Sequence, residues 1–279
     1  MNAIEMEGIT KRYEHFELKD LNLTVPEGMI LGLVGENGAG KTTALRILLQ
    51  MTKPDAGRVR IMGEAVSADD PAWKESVGIV MEEAGFPWSF RLKEIDRMMR
   101  DIYKTWDSAY FFELAERLKV PMETKYHEMS RGNAMKTGIL CALAHHPRLL
   151  VLDEATSGLD PLVRDDLLDI LMEFTRDEHH TVLLSSHIVS DLEKACDMIA
   201  FLHEGKLLLQ EDKDALKEEY CRISVSEEEL TALDPADIIG VRSGKYGTEA
   251  VVRRGAVQAE GEPLSIEDLF IFMVKGEQR

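Results

Sequence analysis

The sequence predicts an α/β fold organised on a parallel sheet, and three observations carry that prediction. An apolar run at residues 29–34 leads directly into a glycine-rich loop and then into a helix-period segment. Two further apolar runs, 149–152 and 181–185, flank a helical stretch at 162–177, so that strand, crossover helix and strand follow one another as they do in a parallel sheet with helices on its faces. From about residue 83 to 146 strand runs are lacking and helix-period segments replace them.

Taken in chain order, residues 18–34 read as a strand pair around the turn Pro26-Glu27-Gly28, the second strand apolar enough to be buried. Residues 35–43 form the loop. Residues 44–51 carry Leu45, Leu48 and Leu49 at helical spacing. Segments 92–104 and 110–118, with a break at Pro121, make an inserted helical subdomain over about 83–146. Beyond residue 209 the segments become shorter and acidic. Residues 211–279 hold 16 acidic and 9 basic side chains, with turn signals at Asp234-Pro235 and Gly244. The expected division is a main domain over 2–210 and a small mixed appendage over 211–279.

Composition narrows the class of function. With 33 Lys+Arg against 51 Asp+Glu the net charge is -18, and such a surface repels a phosphate backbone. The basic clusters, Lys11-Arg12 and Arg253-Arg254, are two residues each, so no nucleic-acid partner is expected. Cys141, Cys196 and Cys221 are too widely spaced for a disulfide framework or a zinc site, which fits a reducing cytoplasm. Residues 1–11 carry Glu5 and Glu7 and lack the basic start and apolar run of a signal peptide. No stretch approaches about 18 uninterrupted apolar residues, so a membrane role requires another chain to supply the channel. The pairs His145-His146 and His179-His180 lack a ligand spacing and read as surface.

The segment Gly35-Glu36-Asn37-Gly38-Ala39-Gly40-Lys41-Thr42 fits the G-x-x-x-x-G-K-[ST] phosphate loop in full, between a buried strand and a helix as the motif requires. Glycines let backbone N–H groups converge on a phosphate, and the helix that follows points its positive end at the same place. Lys41 adds a mobile charge, and the Thr42 hydroxyl is a candidate Mg²⁺ ligand. Gly35, Asn37, Gly38, Ala39, Gly40, Lys41, Thr42 and Thr43 are the candidate nucleotide-binding set of a P-loop NTPase (RecA-like) core. The apolar run 149–152 ends in Asp153-Glu154, at the edge of a parallel sheet where ligands bind. Asp153 is a candidate metal residue, and Glu154 a candidate general base for an attacking water.

What surrounds these motifs resembles one family. The stretch Asp153-Glu154-Ala155-Thr156-Ser157-Gly158-Leu159-Asp160-Pro161 is similar to the segment of ABC ATPases that joins the second phosphate motif to the D-loop. Met129-Ser130-Arg131-Gly132-Asn133, about 23 residues before Asp153, resembles the LSGGQ signature, and His187, about 34 after it, resembles the switch histidine. The resemblance covers roughly residues 2–210. It implies an antiparallel β-subdomain beside the core, ATP and Mg²⁺ as cofactors, adenine stacked on Tyr13, and two subunits clamping two ATP molecules. Each ATP would lie between one subunit's phosphate loop and the other's signature. Ser130 and Gly132 would then contact the γ-phosphate, with Asp160 in the D-loop beside the site and His187 on the phosphate's other side.

Three departures and a set of partners complete the expectations. Glu82 stands where the family carries a glutamine that senses Mg²⁺ and the attacking water, adding a carboxylate to the site. Arg131 and Asn133 replace a glycine and a glutamine of the signature, and this M-S-R-G form resembles a bacterial export subgroup. Phe86, Pro87, Trp88 and Phe90 either receive a coupling helix of a membrane subunit or form the small core of the helical subdomain. The implied partners are an integral membrane permease and a second ATPase subunit, identical or not, with the chain peripheral on the inner face of the membrane. A soluble ABC-type ATPase that remodels a cytosolic assembly is the competing reading. It fits less well, because this chain has one ATPase unit and only about 110 residues between Lys41 and Asp153. A non-catalytic subunit would have lost Lys41, Asp153 or Glu154, and all three are present.

Overall fold

The computed structural model describes residues 1–81, 85–244, 247–257 and 261–276. The chain opens with β1 (Asn2–Arg12) and β2 (Glu17–Pro26), then β3 (Ile30–Val34), α1 (Lys41–Leu48), β4 (Ala56–Ile61), β5 (Glu64–Ala65) and β6 (Val77–Val80). The helical insert follows as α2 (Leu92–Ile102), α3 (Ser108–Arg117) and α4 (Arg131–Leu143). Next come β7 (Leu149–Asp153), α5 (Pro161–Phe174), β8 (Thr181–Ser186), α6 (Val189–Ala195), β9 (Met198–His203) and β10 (Lys206–Asp212).

Two sheets build the main body. The larger has the order β10-β9-β3-β8-β7-β6, parallel except for β10, and its central strands β3, β7 and β8 are buried along their whole length. Burial on both faces explains why these strands read as continuous apolar runs and not as alternating ones. The smaller sheet, β2-β1-β4-β5, is antiparallel. In β2, Leu21, Leu23 and Val25 turn inward and the residues between them face out, the period-2 pattern of a sheet with one wet face.

The strand pair expected at residues 18–34 is corrected, because β2 and β3 belong to different sheets: β2 pairs with β1, while β3 runs parallel between β8 and β9. The connection is anchored to the parallel sheet. Gly28, with φ 79, donates its N–H to Thr181 Oγ1 at 3.1 Å, and Arg148 Nη2 meets Glu27 Oε1 at 2.8 Å. These contacts turn the chain out of the hairpin that a Pro-Glu-Gly turn otherwise favours.

The helical insert is capped where its sequence allows. Asp107 accepts from Tyr110 N–H at the start of α3, and Ser130 accepts from Asn133 N–H at the start of α4. The aromatic group divides. Phe86 and Phe90 pack on the main core, Phe86 edge-on to Tyr126 with ring centroids 5.4 Å apart, whereas Trp88 is 79% exposed.

The histidine pairs do not all lie at the surface as expected. His145 is fully buried, stacked on Tyr103 at 4.1 Å, its two ring nitrogens 3.1 Å from Cys141 O and 3.3 Å from Val77 O. Burial lowers its pKa from the ordinary value, outweighing the two carbonyls that raise it. His180 is half-buried on the face of Phe174, 4.4 Å between centroids, while His146 and His179 are exposed.

The last segment comprises α7 (Lys213–Glu219), β11 (Tyr220–Val225), α8 (Glu227–Ala232), β12 (Ile238–Gly244), β13 (Gly247–Arg253) and α9 (Ile266–Lys275), its strands forming an antiparallel sheet of order β11-β13-β12. It has a small core of its own around Cys221, Ile223, Val241 and Val252. It also lends α9 to the main core, where Ile266, Leu269, Phe270 and Phe272 are buried and Phe270 lies 5.1 Å from Phe201 of β9. Among the described residues no helix is long and apolar enough to cross a membrane.

Candidate functional site

The loop between β3 and α1 leaves the sheet centre and feeds a helix whose N-cap, Gly40, has φ 110. Only glycine suits this position. The backbone is left-handed there, and a Cβ would lie 2.7 Å from Phe16 Cζ. The loop is also braced from outside, since the Gly205 N–H in the turn between β9 and β10 donates to Ala39 O at 3.0 Å.

Around this loop opens a cleft of about 480 Å³ lined by His15, Phe16, Glu36, Asn37, Gly38, Gly40, Lys41, Thr42, Thr43 and Glu154. Most of the predicted loop residues therefore share one cavity with the predicted base. Lys41 is buried, with Nζ donating to Gly35 O at 2.7 Å and to Glu36 O at 3.3 Å, and standing 3.1 Å from Glu154 Oε1. That last approach is an ion-pair distance without hydrogen-bond alignment, so Glu154 Oε1 is buried with no hydrogen-bond partner. Its other oxygen, Oε2, accepts from His187 Nδ1 at 2.6 Å.

The carboxylates are placed by strand geometry. Asp153 ends β7 and is buried, its Oδ1 accepting from Ser185 Oγ at 2.5 Å on the neighbouring β8. Glu154 follows at φ 52, a left-handed conformation that costs a non-glycine residue about 1–2 kcal/mol. Its N–H donates to Ser185 O at 3.1 Å, which holds it in that conformation. The strain lies at the residue whose carboxylate must turn out of the sheet toward the cleft.

Other predicted residues are placed elsewhere. Tyr13 sits on the β1–β2 turn, 50% exposed and 6.4 Å from Phe16, with Lys11 Nζ 5.9 Å from its ring centroid; Phe16 and His15, which the sequence reading passed over, line the cleft instead. Ser130 and Gly132 open α4 and are not among the residues lining the cleft. Gly132 lies against the chain's own loop after β7, with Leu159 Cδ2 3.5 Å from the position of a Cβ on it. Asp160 caps α5, accepting from Val163 N–H at 3.2 Å. Glu82 lies outside the described residues. Ser185 and Gly205 were also missed, and Ser185 could have been found as the polar end of an apolar strand parallel to the one ending in Asp153.

The donor set suits a nucleotide with a hard divalent cation. It offers a hydroxyl at Thr42, a carboxylate at Asp153, a buried ammonium at Lys41, and at Glu154 Oε1 a buried anionic atom without a hydrogen bond.

Comparison with known proteins agrees with this chemistry. Residues 18–157 match the ABC transporter family. The bacitracin transport ATP-binding protein BcrA of Bacillus licheniformis is 34% identical over 77% of this chain and 71% of its own length. The ABC transporter ATP-binding protein YtrB of Bacillus subtilis (strain 168) is 29% identical over 99% of both chains, the last segment included. Among solved structures, an ATP-binding subunit of an ABC transporter superposes with TM-score 0.69 at 26% identity, over 77% of this chain and 92% of that one.

Proposed function

Because the chain belongs to the ABC transporter family as an ATP-binding, ATP-hydrolysing subunit, we propose that its cleft hydrolyses MgATP with Glu154 as general base and His187 as the group that holds and releases it. The observation that carries this reading is the linked trio Lys41, Glu154 and His187. One carboxylate meets the phosphate-loop lysine at 3.1 Å on one oxygen and the histidine at 2.6 Å on the other.

The residues act in sequence. The loop backbone and the N-terminus of α1 take up the phosphates. Lys41, now bonded to loop carbonyls and beside Glu154, turns to the incoming anion, and Glu154 loses the cation that neutralises it. Its freed carboxylate then orients a water and accepts its proton during attack on the γ-phosphate. His187 moves from Glu154 to the transferring phosphoryl group. Thr42 and Asp153 would hold Mg²⁺, with Ser185 fixing the Asp153 carboxylate; the ion would supply neutralisation of phosphate charge. Glu82, which lies outside the described residues, is from its place in the sequence a further candidate carboxylate of this set. Gly35, Asn37, Gly38, Ala39, Gly40 and Thr43 serve as phosphate-loop contacts, and Phe16 joins Tyr13 as a surface for the base.

Ser130, Gly132 and Asp160 are not among the residues lining their own chain's cleft, which supports a working pair in which they complete the partner subunit's site. Trp88, exposed between Phe86 and Phe90, would anchor the permease on the helical subdomain, placing the chain on the inner face of the membrane. Similarity to a bacitracin-transport subunit supports a transport role, and the resemblance of the M-S-R-G signature to an export subgroup favours export as its direction. The cytosolic remodelling alternative is not favoured by relatives that are transporter subunits.

The test is purification from detergent-solubilised membranes of the native host. An integral membrane protein together with one or two ATPase chains in fixed stoichiometry is expected. Recovery of the active chain with soluble proteins alone would refute the transport role.

A further inference from the structure

Thr156, Arg164 and Asp191 take no part in the chemistry above, yet they form a group directly behind it in which Thr156 and Asp191 are buried and Arg164 is partly so. Asp191 stands in the first turn of α6, four residues after His187, and is 5% exposed. Arg164 of α5 reaches toward it. Arg164 Nε lies 3.7 Å from Asp191 Oδ2, too far for a hydrogen bond, and both atoms are buried without a partner. The same guanidinium donates from Nη2 to Leu159 O at 3.4 Å. Thr156, wholly buried, interacts with Asp191 through its hydroxyl, which also lies 3.4 Å from Ser186 Oγ. Ser186 Oγ in turn accepts from Ile188 N–H at 3.0 Å.

These contacts join two ends of the mechanism. At one end, Leu159 lies against Gly132, and the Arg131 side chain covers Gly158, its Cδ 3.7 Å from the position of a Cβ there. At the other end are Ser186 and His187, and His187 holds Glu154. A buried ion pair this long is poorly compensated for its desolvation, and a shift of a fraction of an ångström would convert it into a hydrogen-bonded pair. A small movement of residues 156–160, which Arg164 touches at Leu159 O, would be enough to close that gap.

We propose that the Arg164–Asp191 pair is a positioning device that reports the state of loop 156–160, and through it of the Ser130–Gly132 segment, to His187. This rests on the reading of Glu154 and His187 given above. When the loop moves against a partner subunit, the Leu159 carbonyl carries Arg164 with it, the pair closes, the first turn of α6 follows, and His187 leaves Glu154. Neither Arg164 nor Asp191 touches the nucleotide.

Steady-state MgATP hydrolysis by the full chain tests this with Asp191→Asn, Arg164→Lys, His187→Ala and the double variant D191N/H187A. Asp191→Asn is expected to lower kcat about tenfold, the scale of a small misplacement of a catalytic group, with KM unchanged within about twofold. Its thermal midpoint should stay within about 4 °C of the parent, since the Arg164 side chain left behind is 27% exposed and its charge stays hydrated. Lysine at 164 lacks the fork that serves both Leu159 O and Asp191, and should act the same way. If Asp191 works through His187, the double variant will be no slower than His187→Ala alone. Multiplicative effects in that cycle, an unchanged kcat in Asp191→Asn, or a loss of kcat matched by a loss of folded protein would each overturn the proposal. Glu154→Gln, assayed alongside, tests the underlying site reading separately, because full turnover there removes the base without bearing on the Asp191 cycle.

Discussion

Replacing Phe270 by alanine tests whether the last segment is an independent unit or part of the ATPase body. Phe270 is 8% exposed on α9 and its ring centroid lies 5.1 Å from that of Phe201. Phe201 is in register with Val34, the residue that leads into the phosphate loop. Burial of a phenyl group contributes about 1.5–3 kcal/mol and an aromatic pair about 0.5–1.5 kcal/mol more. With the cavity left behind, Phe270→Ala should cost about 3–5 kcal/mol. For a chain of this size that is a fall in thermal midpoint of about 10 °C. The assay is urea unfolding followed both by far-UV circular dichroism and by loss of nucleotide binding. The shared core predicts that both probes shift together in one transition. An early transition in circular dichroism, with nucleotide binding lost at the parent's midpoint, would show that the segment folds apart from the site and refute the reasoning.

Three further outcomes follow from the geometry. Glu154→Gln keeps the side chain's size and its left-handed backbone but cannot accept a proton, so it should bind ATP and lose at least about 100-fold in turnover, measured by equilibrium nucleotide binding beside single-turnover hydrolysis; tight binding with normal turnover would move the base elsewhere. Gly205→Ala places a Cβ 1.9 Å from Glu17 O at φ 75, displacing the N–H that braces Ala39. It should cost about 2 kcal/mol or more in denaturant unfolding and weaken ATP binding several-fold. His145, buried with a lowered pKa, contributes stability that is present above the unfolded imidazole value of about 6.5 and is lost as pH falls through its folded value. Unfolding midpoints at pH 7.5 and 5 should therefore separate more in the parent than in His145→Gln.

Much of the site was legible because its chemistry demands local sequence. A phosphate loop needs glycines at set places between a strand and a helix, and Gly35 to Thr42 supply them. The parallel strands were legible as apolar runs because burial on both faces removes alternation. The hairpin at 18–34 misled because its outcome is decided by partners far along the chain. Thr181 and Arg148 capture Gly28 and Glu27, and no local signal records that. His145 was misjudged for the same reason: the stack with Tyr103 and the reach to Val77 O depend on the helical insert folding over β6. Phe16, Ser185 and Gly205 enter the site through tertiary placement, the first through the β1–β2 turn, the others from a strand and a turn distant in sequence.

The cleft's internal contacts define what nucleotide must overcome. Lys41 is satisfied by Gly35 O, Glu36 O and Glu154, while Glu154 is shared between Lys41 and His187. Both charges that hydrolysis requires are thus neutralised by each other and by the loop. Phosphates arriving at the loop offer Lys41 a stronger anionic partner, and that exchange exposes a buried carboxylate with one oxygen already lacking a hydrogen bond. The group remaining to hold Glu154 is then His187, whose position is tied through Ser186 and Asp191 to the loop after β7. ATP alone can accordingly release the lysine. On the mechanism proposed above, release of the base waits on His187, and hence on whatever moves residues 156–160, so binding and hydrolysis are expected to be separable steps controlled from two sides of the same carboxylate.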